Sequence, residues 1–236
     1  MQDKAIVVVG ATGGIGSALT RKLASTGARL VLAARNSNAL QDLAAQLSVS
    51  KPALTVPTDI TDRAAVNALM EETTAQFGQV DVLVNAAGAG ILKPYNALEP
   101  ADLEAMLDLN LKGSFYTCQA AAELMQRQKS GHICNVVGIL GKHSMAMAAA
   151  YSASKFGVVG FSKCMAEELK RFGVKFTLFY FGGVDSPFWD NVQLKVDRKK
   201  MLSTETAANA IFYALQAEPQ AVPMEINIQP DSHLFF

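Results

Sequence analysis

Short runs of apolar, often β-branched residues alternate along this chain with longer segments whose apolar positions recur every three to four residues. The short runs predict strands near Ala5–Val9, Arg29–Ala33, Ala53–Pro57, Val80–Asn85, His132–Val137, Lys175–Phe179 and Met224–Ile228. The longer periods predict helices near Gly14–Ser25, Ser37–Leu47, Asp62–Phe77, Pro100–Gln128, Ala150–Arg171 and Thr204–Leu215. Asp62 and Thr204 carry the polar side chains expected of N-caps, and Pro100 suits a first turn. Ile6-Val7-Val8-Val9 and Val82-Leu83-Val84 are apolar on both faces, which suits a parallel sheet covered by helices on each side. Such alternation predicts the α/β class, a doubly wound sheet of seven parallel strands with helices on both faces. No linker or repeat divides residues 1–236, so one domain is expected. The least regular stretch runs from Gly182 to Met201. It reads either as a lid over a substrate or as a solvated loop leading to a helix.

Composition narrows the partners. Half of the residues are hydrophobic, and 21 Lys plus Arg balance 21 Asp plus Glu. A chain of 236 residues with that content can bury a sizeable core. Zero formal charge argues against a nucleic-acid surface and for a small-molecule partner. The three cysteines, Cys118, Cys134 and Cys164, are odd in number and lack metal-ligand spacing; reduced, mostly buried thiols in a cytoplasmic protein and no metal site are expected. No apolar stretch is long enough to span a bilayer, and no basic–apolar–cleavage pattern marks a signal peptide.

The first chemical signal is Gly10-Ala11-Thr12-Gly13-Gly14-Ile15-Gly16, placed between the first strand and the first helix. Glycines there allow a tight turn and close approach to a pyrophosphate, while the helix N-terminus offers unpaired N–H groups and a positive dipole end. At the end of the second strand, where an acid would grip a ribose 2′-OH, the chain reads Ala34-Arg35-Asn36. Arg35 can pair with a 2′-phosphate, which favours NADP(H) over NAD(H); the alternative is a surface arginine beside the next helix. The second signal is Tyr151-Ser152-Ala153-Ser154-Lys155. Four residues apart on a helix, Tyr151 and Lys155 share one face. A nearby ammonium lowers the pKa of a phenol, readying it for proton exchange with a substrate oxygen.

Together these pieces resemble the short-chain dehydrogenase/reductase family in its single-domain form, whose Rossmann-like fold the predicted elements match. The glycine turn is similar to the family's, with Val9 where a Thr usually precedes it. Asp59-Ile60 is similar to the pair that contacts adenine. Asn85-Ala86-Ala87-Gly88 resembles the Asn-Asn-Ala-Gly motif, with Ala86 for one Asn. Asn110 matches the asparagine associated with a proton-relay water, and Phe181-Gly182-Gly183-Val184-Asp185-Ser186 sits where the family surrounds the nicotinamide. The resemblance implies Tyr151 as acid/base and Lys155 as ligand of the nicotinamide ribose. Asn110 would hold a water that links Lys155 to solvent. Gly10, Thr12, Gly13, Gly14, Ile15, Gly16, Arg35, Asn36, Asp59, Ile60, Asn85, Ala86, Ala87, Gly88, Gly182, Val184 and Ser186 would be cofactor contacts.

One member of that constellation is missing. The family carries a serine thirteen residues before the tyrosine, where it orients the substrate carbonyl; here the stretch reads Asn135-Val136-Val137-Gly138. Losing such a hydrogen bond costs about 1–3 kcal/mol where charge develops. Ser144, His143 or a water are the candidate substitutes. Two readings stay open: an NADP(H)-dependent oxidoreductase with an altered carbonyl-orienting element, or an NADP(H)-binding sensor or regulatory protein with impaired catalysis. Phe188, Trp189 and Val192, faced by Met145 and Met147, would line an apolar substrate pocket. The resemblance also implies a homodimer or homotetramer, assembled through the long helices Pro100–Gln128 and Ala150–Arg171. The apolar tail Leu234-Phe235-Phe236 is expected to pack on a neighbouring subunit or on the substrate side.

Overall fold

In the computed structural model, residues 1–47, 52–192 and 194–235 are described; Gln193 of the irregular stretch and Phe236 of the tail lie outside the described residues. Seven strands among them pair in parallel in the order β3-β2-β1-β4-β5-β6-β7. They are β1 (Ala5–Val9), β2 (Arg29–Ala34), β3 (Leu54–Pro57), β4 (Val82–Asn85), β5 (Gly131–Val136), β6 (Val174–Phe181) and β7 (Glu225–Ile228). The helices are α1 (Gly14–Ala24), α2 (Ser37–Ala45), α3 (Arg63–Phe77), α4 (Pro100–Met106), α5 (Ser114–Gln128), α6 (Ala149–Leu169) and α7 (Thr204–Leu215).

All five residues of β1 are buried, because successive side chains enter opposite layers of the core. Ile6 and Val8 join Leu19 and Leu23 of α1 and Ile211 of α7 on one face. Val7 and Val9 join Leu69 of α3 and Met125 of α5 on the other. Each such side chain contributes roughly 1.5–3 kcal/mol when fully buried. The doubly wound expectation therefore holds, strand count and direction included.

Three local expectations need correction. Asp62 does cap α3, accepting from Ala64 N–H at 2.8 Å. Thr204, however, is the first residue of α7, and Ser203 caps it by accepting from Thr206 N–H at 3.1 Å. The helix expected over Pro100–Gln128 is interrupted by one π-helical stretch, Leu107–Gly113, between α4 and α5. That stretch holds the buried Asn110. The Gly182–Met201 segment is neither a bare loop nor a helix start. It carries short 3-10 turns at Pro187–Asn191 and Arg198–Lys200, and Val184 bridges Leu202.

Candidate active site

The carboxyl ends of β1, β4, β5 and β6 converge on a cavity of about 800 Å3. One end is built by the glycine turn. Gly10 has φ +78°, and a Cβ there would lie 2.6 Å from Ala87 N, so only glycine lets the turn sit against the β4 loop. The turn delivers Gly13, Gly14 and Ile15 to the cavity wall. Gly13 is the N-cap of α1 and provides no side-chain cap, so the first amides of the helix stay available to an anion. Arg35 stands exposed on the same wall. The acid beside it, Asp59, is not part of the cavity lining, and its Oδ1 accepts from Thr61 N–H at 2.9 Å and from Thr61 Oγ1 at 2.8 Å. Those bonds, helped by the Arg35 charge, hold its carboxyl below the ordinary value.

The chemical end lies where α6 meets β5. Tyr151 and Lys155 both line the cavity, one helical turn apart. Lys155 is buried; its Nζ donates to Val136 O at 3.4 Å and sits 5.8 Å from the Tyr151 ring centre. Burial pulls its ammonium pKa down to about 8. Burial also pushes the Tyr151 phenol up. The expectation that the ammonium lowers the phenol is thus reversed in this state, since desolvation penalises both charged forms. The phenol is held protonated and faces a partly apolar enclosure.

Asn110 belongs to the same cluster, though outside the cavity wall. Its Oδ1 accepts from Ala89 N–H at 3.1 Å, and its Nδ2 donates to Ala89 O at 2.9 Å and to Ser154 Oγ at 3.1 Å. The π-helical stretch is thereby tied both to the loop after β4 and to the helix bearing Tyr151. A Cβ on Gly88 would lie 3.1 Å from Asn110 Oδ1 and 3.3 Å from Lys155 Nζ, so Asn110 and Lys155 flank one small space. Beneath the site, Asn85 Nδ2 donates to Asn135 Oδ1 at 2.9 Å, Thr117 Oγ1 to Asn85 Oδ1 at 2.8 Å, and Asn135 Nδ2 to Ser162 Oγ at 2.9 Å. This buried ladder joins β4 and β5 to α5 and α6.

A family model described as short chain dehydrogenase matches residues 4–197. The chain belongs to the short-chain dehydrogenase/reductase family. It is 34% identical over 232 residues to an uncharacterized oxidoreductase of Staphylococcus saprophyticus, covering 98% of both chains. To another of Staphylococcus aureus it is 36% identical over 230 residues, again 98% of both. Among solved structures, a metagenomic short-chain oxidoreductase in complex with NADP is 31% identical, with a TM-score of 0.84 over 98% of both chains. An alcohol dehydrogenase of the archaeon Thermococcus sibiricus, complexed with 5-hydroxy-NADP, shares the fold at a TM-score of 0.90 and 23% identity, covering 99% of each chain. The protein is an oxidoreductase of the short-chain type.

Within that family frame, the departures stand out. Gly138 lines the cavity, and a Cβ built on it would lie 3.5 Å from the Tyr151 hydroxyl. Space for a side chain exists, but the backbone there has φ +87° and ψ 160°, a region essentially reserved for glycine. The sequence substitutes fail on geometry. Ser144 is exposed and absent from the cavity wall, because its loop turns outward before α6. His143 stacks on Phe235, with ring centres 5.5 Å apart, and is likewise outside the wall.

Of the cofactor residues named from sequence, Ala86, Ala87, Gly88, Gly182, Val184 and Ser186 do line the cavity. Thr12, Asn36, Asp59 and Ile60 do not. Asn36 instead caps α2, accepting from Ala39 N–H, and Ile60 is buried under Gly113. Gly10 and Gly16 shape the turn from behind the wall, and Asn85 serves the buried ladder.

Phe188 and Trp189 line the cavity as expected, as does Met145, whereas Met147 and Val192 do not. The Phe188 ring lies 5.8 Å from that of Tyr151 and packs on Gly90. Arg198 braces this segment through Asp185, Asp190 and the Ser186 carbonyl. Sequence reasoning missed Ser154, a small polar residue inside the Tyr–Lys motif itself. It also missed Ser232 and His233, which no motif announces. Phe235 meets the substrate-side expectation for the tail, while Leu234 is half exposed.

Proposed function

We propose that the protein interconverts a carbonyl and an alcohol with NADP(H), on a small to medium, partly apolar substrate, with Tyr151 as acid/base. The observation that carries this reading is that Tyr151, Lys155, the uncapped start of α1 and Arg35 all open into one cavity. When bound, the nicotinamide would supply or accept the hydride; the protein supplies placement and the proton. The phenol, held protonated by burial, is in the state that donates to a carbonyl oxygen. Lys155 is positioned to hold ribose hydroxyls, and Asn110 fixes the loop and helix around it. Arg35 faces the adenosine end, and Asp197, the acid among the described lining residues, is engaged by Lys200 and the Lys199 amide, which supports NADP(H) over NAD(H). Phe188 shields Tyr151 from bulk water.

The second reading, an NADP(H)-binding sensor or regulatory protein with weak or lost turnover, draws on Gly138, whose backbone disfavours the missing serine. Both are tested by steady-state hydride transfer with NADPH and a carbonyl panel. Expected is measurable turnover that Tyr151→Phe lowers by roughly 100-fold or more while NADPH binding persists. Binding without turnover on any carbonyl would favour the sensor. NADPH should bind at least about 10-fold more tightly than NADH, a preference erased in Arg35→Leu. Equal affinities would remove the assignment to Arg35.

Assembly as a homodimer or homotetramer belongs to the same proposal. Phe156 stands half exposed on the outer face of α6, where Gly160 leaves open space beside it. Light scattering that returned a monomer mass would remove this part.

A further inference from the structure

After β7 the chain turns back over the cavity as the segment Gln229–Phe235, which belongs to no helix or strand. One side chain holds its far end. Phe235 N–H donates to Gln229 Oε1 at 2.7 Å, and Gln229 Nε2 donates to Phe235 O at 3.0 Å. The Phe235 ring is stacked on His143 at 5.5 Å and meets His233 edge-on at 5.5 Å. Two further ties anchor the stretch between. Ser232 Oγ donates to Lys200 O at 3.1 Å, and Pro230 packs so closely on Gly182 that a Cβ there would lie 2.6 Å from Pro230 Cδ. Phe235 lines the cavity and packs in the same apolar cluster as Tyr151, Phe188 and Trp189. An aromatic ring stacked on one imidazole and met edge-on by another, on a backbone clamped by a single amide, forms a held part of the cavity wall that Tyr151 also lines.

We propose that Phe235 is a specificity-determining residue that limits how long an apolar body a carbonyl substrate can carry, and that Gln229 is the positioning residue that keeps this wall in place. The proposal deepens the oxidoreductase reading and rests on it. The substrate class it names is a ketone or aldehyde with a hydrocarbon body running from Tyr151 toward Phe235. While methylenes still fit, each should tighten binding roughly fourfold. Beyond the wall, the gain should stop.

The chain contains a single tryptophan, Trp189, and it lines the same cavity, so its emission reports occupancy. The test titrates NADP+-loaded protein with 2-alkanones from 2-butanone to 2-decanone, and follows turnover of the same series with NADPH. Wild type should show a breakpoint in affinity at one chain length. Phe235→Ala should move it to longer ketones and Phe235→Trp to shorter ones. Gln229→Leu should blur it while leaving residue 235 unchanged. A structural role alone would lower the melting temperature without moving the breakpoint. An unmoved breakpoint in all three folded variants overturns the proposal, as does failure of every ketone to bind wild type. If binding follows the predicted pattern but wild type turns over none of the series, the catalytic reading fails and the wall stands.

Discussion

Tyr151 and Lys155 are controlled by what surrounds them more than by each other. Their spacing brings them to one wall, yet desolvation raises the phenol and lowers the ammonium to about 8. Gly138, beside them, is a conformational commitment as well as a lost hydroxyl. A serine forced to φ +87° would carry strain of about 1–3 kcal/mol. Gly138→Ser is therefore expected to melt several degrees lower and to show no gain in turnover, with Gly138→Ala losing a similar amount of stability. Calorimetry paired with initial rates checks this; a rise in rate at unchanged melting temperature would mean that the loop readily adopts a negative φ. The sequence made the absence of serine legible, because residue identity is explicit. It could not reveal the backbone that makes the absence hard to repair. Nor could it place Ser144 outside the cavity, since the direction of a loop depends on the tertiary contacts at its ends.

Elements were legible where periodicity was strong. The β-branched runs and the helical periods placed the seven strands and all helices but the divided Pro100–Gln128 within a few residues, and Asp62 was found at its cap. The π-helical stretch Leu107–Gly113 was not legible, nor were the partners of its Asn110, Ala89 and Ser154, which lie far away in sequence. Such single-turn irregularities gather at functional sites. Asn110→Ala would leave the Ala89 backbone groups without their buried partners, at about 1–3 kcal/mol of stability. We expect turnover to fall further than that stability loss alone explains, because the strap between the β4 loop and α6 is gone. Thermal melts compared with kcat at a temperature well below melting decide it: unaltered kcat would confine Asn110 to a structural part.

At the scale of the whole molecule, a partly buried base links stability to acidity. His132, at the start of β5, contacts Thr177 of β6 at 2.7 Å, and burial, with Lys175 and Lys4 nearby, takes its pKa down to about 4. The unfolded chain holds a proton on this group below about pH 6.5, whereas the native protein does not. Stability is therefore fully present above pH 6.5 and is lost as pH falls toward 4, by up to about 3 kcal/mol from this residue. Urea midpoints measured from pH 7 to 4 should fall less steeply in His132→Gln; identical slopes would exclude His132 as a source.

The strand order β3-β2-β1-β4-β5-β6-β7 also bears on how the chain comes off the ribosome. β2 pairs with β1, β3 with β2, and β4 with the other edge of β1; β5, β6 and β7 each then add to the strand before. No strand has to be inserted between two that have already paired. The sheet can grow outward as synthesis proceeds, always onto an open edge, and the edges that invite aggregation are covered in the order in which they emerge.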